Sequence, residues 1–261
     1  MQRLCGHTVR VGKDRYSMVI KNTKQISDSF RENIEYMDRT LPIGKSFDLI
    51  RREIEIGERR AILYFIDGFV KDEAMLKLLD SFMGVTKEDM PEDAAAFSQT
   101  HVPYIEVDVL SDFDQVLRNV LSGVSCLFIE GYASCIAIDT RTYPARSVEE
   151  PDKDKSLRGS RDGFVETIVF NTALMRRRIR DEHLIMEMTE AGQTSRTDIA
   201  ICYLSDRVDQ ELLANVKSRI EDLHIDDLKM NQQTLAEAMF KRKWFNPFPK
   251  FKFTERPDTA V

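Results

Sequence analysis

The chain has 261 residues, 42% of them hydrophobic and 31% charged, enough for one large domain or two small ones with a sizeable core. Its 38 lysines and arginines against 44 acids leave a net charge of −6, which excludes a globally basic nucleic-acid coat and leaves only local basic patches. Four scattered cysteines (Cys5, Cys126, Cys135, Cys202) form no CxxC pair and suit reduced, buried thiols. Residues 1–13 lack the apolar run of a secretory signal, and no stretch of about 18 apolar residues occurs, so nothing reads as spanning a bilayer.

Residues 1–25 show little periodicity and read as a poorly ordered N-terminal segment. From there the spacing Ile26, Phe30, Ile34, Met37, Leu41 predicts a helix. Residues 47–56 and 61–66 read as strands, the second so apolar that it belongs inside a sheet. Asp67-Gly68 marks a turn, and the helix after it presents Met75, Leu76, Leu79 and Phe82 on one side. After an acidic stretch, residues 104–109 predict a strand. Ser111 and Asp114 then have the spacing of a capping box for a helix carrying Phe113, Val116, Leu117, Val120 and Leu121. Strands over 124–129 and 134–138 meet at Glu130-Gly131 and complete a first α/β layer pair.

Residues 146–163 turn polar and densely charged, the best candidate boundary in the chain. A helix is expected over 163–180, with Asp162 as its N-cap and four arginines closing it. Strands over 184–188 and 198–204, then a helix over 206–222 with Val208, Leu212, Val216 and Ile220 on one face, form a smaller α-β-β-α unit. The sequence shows no internal repeat. The expected fold class is therefore α/β (α+β), two mixed-sheet subdomains at 26–146 and 164–245 joined by a polar linker at 147–163.

The chemistry-bearing patterns are sparse. Gly44-Lys45-Ser46 lacks the earlier glycine of a phosphate loop, since Arg39 stands there, and it precedes a strand. The four histidines have no metal-ligand spacing and no nucleophile elbow occurs, so no catalytic, metal or cofactor residue is assigned. Arg176, Arg177 and Arg178 with Arg180 form the densest positive cluster before the tail. They either complement the helix C-terminus with a salt bridge or two, or meet an acidic partner. The string RGSRDGF at 158–164 suits an anion site at a helix start or a rigid hinge, and the hinge is favoured. Residues 241–256 hold six basic residues against one acid, with Trp244 and Phe248 among the aromatics. Such a tail either abuts a membrane or packs its aromatics back on the domain.

Several strings together resemble the GerA family, the A-type subunits of bacterial spore germination receptors. They are RGSRDGFVE at 158–166, NTALMRRRIR at 171–180, GQTSRT at 192–197, Phe248-Pro249 and TERPD at 254–258, with KSFDLI at 45–50 and FIDGFVK at 65–71 before them. The likeness is greatest to the stage V sporulation protein AF branch and covers residues 26–258. It implies a soluble N-terminal domain ahead of a transmembrane bundle, serving assembly and gating of an ion channel in the inner spore membrane. The domain would lie on the cytoplasmic, spore-core side. Implied partners are other copies of itself, B- and C-type receptor subunits or a small membrane partner, and the membrane through a C-terminal region; no nucleic acid, cofactor or enzymatic activity is implied. The alternative is a two-lobed module that binds a small germinant or effector. On this reading Arg158, Gly159, Arg161, Asp162, Gly163, Phe164, Glu166, Asn171, Arg176, Arg177, Arg178 and Arg180 form an interface or hinge. Residues 246–261, with Trp244, Phe248, Glu255, Arg256 and Pro257 singled out around them, are expected to be membrane-proximal.

Overall fold

The computed structural model describes residues 24–142, 162–192, 196–222, 235–236 and 251–261. Helix α1 (Phe30–Thr40) is capped by the Ser29 hydroxyl and leads into an antiparallel hairpin of β1 (Leu49–Ile56) and β2 (Arg59–Ile66). Helices α2 (Asp72–Met83) and α3 (Ala94–Thr100) precede β3 (Val107–Leu110). Then come α4 (Phe113–Leu121), β4 (Ser125–Ile129) and β5 (Cys135–Ile138). These five strands make one sheet in the order β1-β2-β4-β5-β3.

Alternation along β2 sorts the core into two layers. Ile62, Tyr64 and Ile66 join Cys126 and Phe128 on the face covered by α1 and α4. Ala61 and Leu63 join Leu127 and Ile129 on the face covered by α2 and α3. Helix α5 (Ile168–Arg178), the hairpin β6 (Leu184–Ala191) and β7 (Thr197–Leu204), and α6 (Gln210–Glu221) form a second layer set. A one-turn helix, α7 (Pro257–Ala260), packs against α5.

The α/β class is as expected, but every ladder among the described residues is antiparallel, so the sheets are not mixed in strand direction. The inward face of α2 uses Leu78 where Leu76 was expected, and that of α6 uses Leu213 where Leu212 was; Leu76 and Leu212 point outward. Asp112, not Ser111, caps α4, its carboxylate accepting from the Gln115 amide at 2.9 Å. Helix α5 starts at Ile168, later than expected, because Asn171 holds the preceding backbone extended. Its side chain accepts from the Val165 amide at 2.8 Å and donates to the Val165 carbonyl at 2.6 Å.

Gly68 adopts φ +80°, and a Cβ there would lie 3.1 Å from Val169 and 3.2 Å from Ala173. The Asp67-Gly68 turn is thus the seat on which α5 rests, and Ala173 shares a core with Phe69 and Met37. Cys202, on the opposite side of α5, is close enough to Asp48 and Arg176 to feel both charges. Helix α5 therefore lies between the larger sheet and the β6–β7 hairpin.

Candidate functional site: a buried arginine clasp

Among the expected residues, Arg176 has the most developed environment. It is wholly buried, as are its partners Ser46 and Asp48 at 1% exposure each. Its Nε donates to Asp48 Oδ2 at 2.7 Å and its Nη2 to Asp48 Oδ1 at 3.1 Å, a two-point pairing of planar groups. Nη2 also reaches Ser46 Oγ at 3.2 Å and the Leu184 carbonyl at 2.9 Å, while Nη1 donates to the Asp181 carbonyl at 3.1 Å. The Ser46 hydroxyl donates to Asp48 at 2.5 Å and accepts from the Met186 amide at 2.9 Å. The Phe47 amide donates to the Met186 carbonyl at 3.0 Å. One guanidinium thus fastens the entrance of β1 to the entrance of β6. Burying both charges is tolerable because each is paired and further hydrogen-bonded.

Arg178 stands half a turn away and serves a second junction. Its Nη2 pairs with Asp162 Oδ2 at 2.6 Å. Asp162 is therefore a salt-bridge partner of the helix end and not the N-cap expected of it, which is Thr167. The Phe164 amide donates to the Glu255 carbonyl at 2.8 Å, bringing the C-terminal segment onto the start of α5. There Arg256, 6% exposed, pairs with Asp258 through Nε at 3.1 Å and Nη2 at 2.6 Å. The Arg256 hydrogen bonds foremost hold the Asp258 carboxyl below its usual range, and the Arg178 charge adds to the effect.

This placement corrects one expectation. Arg176 offers no surface to an acidic partner, because its whole donor fork is used inside the chain. Arg256 and Pro257 are buried against the domain, whereas Glu255 is exposed. Gly163 is buried, Phe164 half-buried, and Glu166, Arg177 and Arg180 exposed. Arg158, Gly159, Arg161, Trp244 and Phe248 lie outside the described residues. Ser46 and Asp48 were missed as site residues. Both lie in the KSFDLI string that carries part of the family resemblance, but nothing local in that string marks a partner 128 residues away.

Beside the clasp a depression of about 640 Å3 opens between α4 and the turn after α5, lined by Asp114, Leu117, Arg118, Ser122, Arg180 and Glu182. Next to it Asp181, Glu182 and His183 bring three donor atoms within 4.8 Å of one another on a partly exposed turn, where Asp181 Oδ1 already bonds His183 Nδ1 at 2.8 Å. Burial pushes the Cys135 thiol and the Tyr64 phenol up, and Cys202 up to about 11 with Asp48 adding to it. These shifts suppress ionisation and so leave the three groups less nucleophilic.

No helix among the described residues is long and apolar enough to cross a membrane. The family model described as "Bacillus/Clostridium GerA spore germination protein" matches residues 36–261. Stage V sporulation protein AF of Bacillus subtilis (strain 168) is 37% identical over 232 residues, covering 88% of this chain and 47% of the relative. Spore germination protein KA of the same organism is 29% identical over 243 residues, covering 90% of this chain and 43% of the relative. The chain thus spans about half the length of the curated relatives it matches. The crystal structure of the N-terminal domain of the A subunit of the Bacillus megaterium spore germinant receptor GerK3 superposes with a TM-score of 0.65 at 23% identity. That match covers 92% of this chain and 89% of the other, a likeness of fold. On the breadth of the family match and the identity to the sporulation relative, this chain belongs to the GerA spore germination protein family.

Proposed function

We propose that this chain is the non-enzymatic N-terminal soluble domain of a spore germination membrane protein, and that it serves assembly and gating of an ion channel in the inner spore membrane. The domain lies on the spore-core side, with other copies of itself and B- and C-type receptor subunits or a small membrane partner as neighbours. Its two sheets mark two units, and the observation that carries the reading is the clasp on α5. A domain that only decorates a membrane protein needs no rigid link between its parts. Here Arg176 locks the units together through a fully desolvated pair, and the C-terminal segment docks on the same helix. A push on either end is then passed on as a movement of the whole, which is what coupling assembly to gating requires.

With Arg176 turned inward, Arg177 and Arg180 are the exposed arginines of the cluster, and they are the ones that meet an acidic neighbour. The test is charge reversal, Arg177→Glu with Arg180→Glu, in the full-length protein, scored by co-purification of tagged copies and by ion release during germination. Weakened co-purification with slowed release is expected; wild-type behaviour in both assays would overturn the interface. A second reading has one observation in its favour, the charged depression between α4 and Arg180–Glu182, which is the size of a small-molecule site.

A further inference from the structure

The two layer sets are built on one plan that the sequence conceals. Helix α1, β1, β2 and α2 have 11, 8, 8 and 12 residues; α5, β6, β7 and α6 have 11, 8, 8 and 12. Ile168 stands 138 positions after Phe30, and the starts of β7 and α6 stand 138 positions after those of β2 and α2. In each set the first helix covers the even-numbered face of the second strand and the last helix its odd-numbered face. Asn33 clasps the backbone of Ser27 from both sides, at 2.9 and 2.7 Å, as Asn171 clasps Val165, again 138 positions on.

The correspondence continues past these four elements. The Ile26 amide donates to the Ser111 carbonyl at 2.8 Å, two residues before α4 begins at Phe113. Its counterpart, the Phe164 amide, donates to the Glu255 carbonyl at 2.8 Å, two residues before α7 begins at Pro257. Helix α7 therefore occupies the place of the first turn of α4. In the larger sheet the chain leaves α4 and enters β4, which pairs with the outer edge of β2.

That edge has an unfilled equivalent. The Glu130 amide bonds the Arg60 carbonyl, so Arg60, Ile62 and Tyr64 turn their backbone groups toward β4. Their counterparts are Asp198, Ala200 and Cys202. The Ser205 amide bonds the His183 carbonyl, which by alternation points those three away from β6. Among the described residues nothing pairs with them there. An open, largely apolar edge of this kind is a template for another strand.

We infer that the outer edge of β7 seats an antiparallel strand supplied by this polypeptide beyond Val261, as β4 does for β2. The relatives are about twice as long as the part they share with this chain. Covalent continuity through the α7 helix delivers such a strand at high effective concentration, which a free partner lacks. The C-terminal segment is then the middle of the second layer set and not a leash to the membrane. This inference is independent of the proposed channel role.

The test compares the 261-residue chain with a version extended through the next helix and hairpin of the full-length protein, by amide exchange and light scattering. Exchange in the peptide spanning 198–204 is expected to slow at least about tenfold in the extended chain, with monomer mass in both. Unchanged exchange would overturn the inference. So would protection in the shorter chain that grows with concentration, which would assign the edge to a second copy. Ala200→Pro removes an outward N–H and no β6 bond. It should abolish the added protection in the extended chain while leaving β6 exchange and the melting of the shorter chain as they were. Equal destabilisation of both chains would count against the strand.

Discussion

Replacing Arg176 with methionine keeps much of the side-chain volume and removes every donor that the guanidinium supplies. The Asp48 carboxylate, 2% exposed, then faces no cation, and the carbonyls of Asp181 and Leu184 lose their partner. Removing one member of a buried pair costs about 3–5 kcal/mol, because the remaining charge stays desolvated. With a urea m-value of about 3 kcal/mol/M for a chain of this size, the unfolding midpoint should fall by roughly 1 M or more. Far-UV circular dichroism in a urea series reads this directly. Adding Asp48→Leu removes the stranded charge, so the double variant should be more stable than Arg176→Met alone, a coupling that a double-mutant cycle exposes. A single-variant cost below about 1 kcal/mol, or a double variant whose loss equals the sum of the two singles, would refute the view that the pair holds the two sheets together.

Asn171→Ala removes two short backbone hydrogen bonds and should cost about 1–3 kcal/mol in a thermal melt, with Asn33→Ala costing a similar amount because its geometry is the same. A silent variant at either position would show that the hook is not structural. The Asp181 hydrogen bond foremost raises the His183 pKa above 6.5, so an NMR titration should place its midpoint higher and Asp181→Asn should bring it back. The folded-state pKa being the higher one, any stability this pair contributes is complete below pH 6.5 and is lost as pH rises through the folded value. At an exposed site the contribution is small. Cys202, with its thiol pushed up to about 11 by burial and then by Asp48, should be alkylated far more slowly at pH 8 in the native chain than in urea, as read by peptide mass spectrometry. Rapid native labelling would contradict its place beside the clasp.

Local patterns carried the local outcomes. Ala61 to Ile66 is apolar at every position and lies inside the sheet, bonded on both edges; Ile34 and Met37 recur at helical spacing and face the core. Asp67-Gly68 turns because only a residue at ease with φ +80° fits beneath α5. Motif order likewise pointed to the family before any fold was known. What stayed hidden depends on distance along the chain. Arg176 and Asp48 are 128 residues apart, so the arginine run read as surface charge when one member is the largest fully buried side chain among the described residues. Asp162 looked like a cap because a carboxylate before a helix usually is one, yet Arg178 sixteen residues on claimed it.

The α-β-β-α plan shared by the two layer sets was illegible for a related reason. Strand and helix lengths, and a single asparagine hook, are conserved in geometry, while the side chains that fill each layer pack against different neighbours. By itself the sequence determined most of the helices, strands and turns, since those follow from spacing, caps and glycine. The tertiary structure alone decided which charges are buried, which backbone edges are paired and which helix joins the two sheets. Those outcomes depend on desolvation and on hydrogen-bond partners that only folding brings within reach.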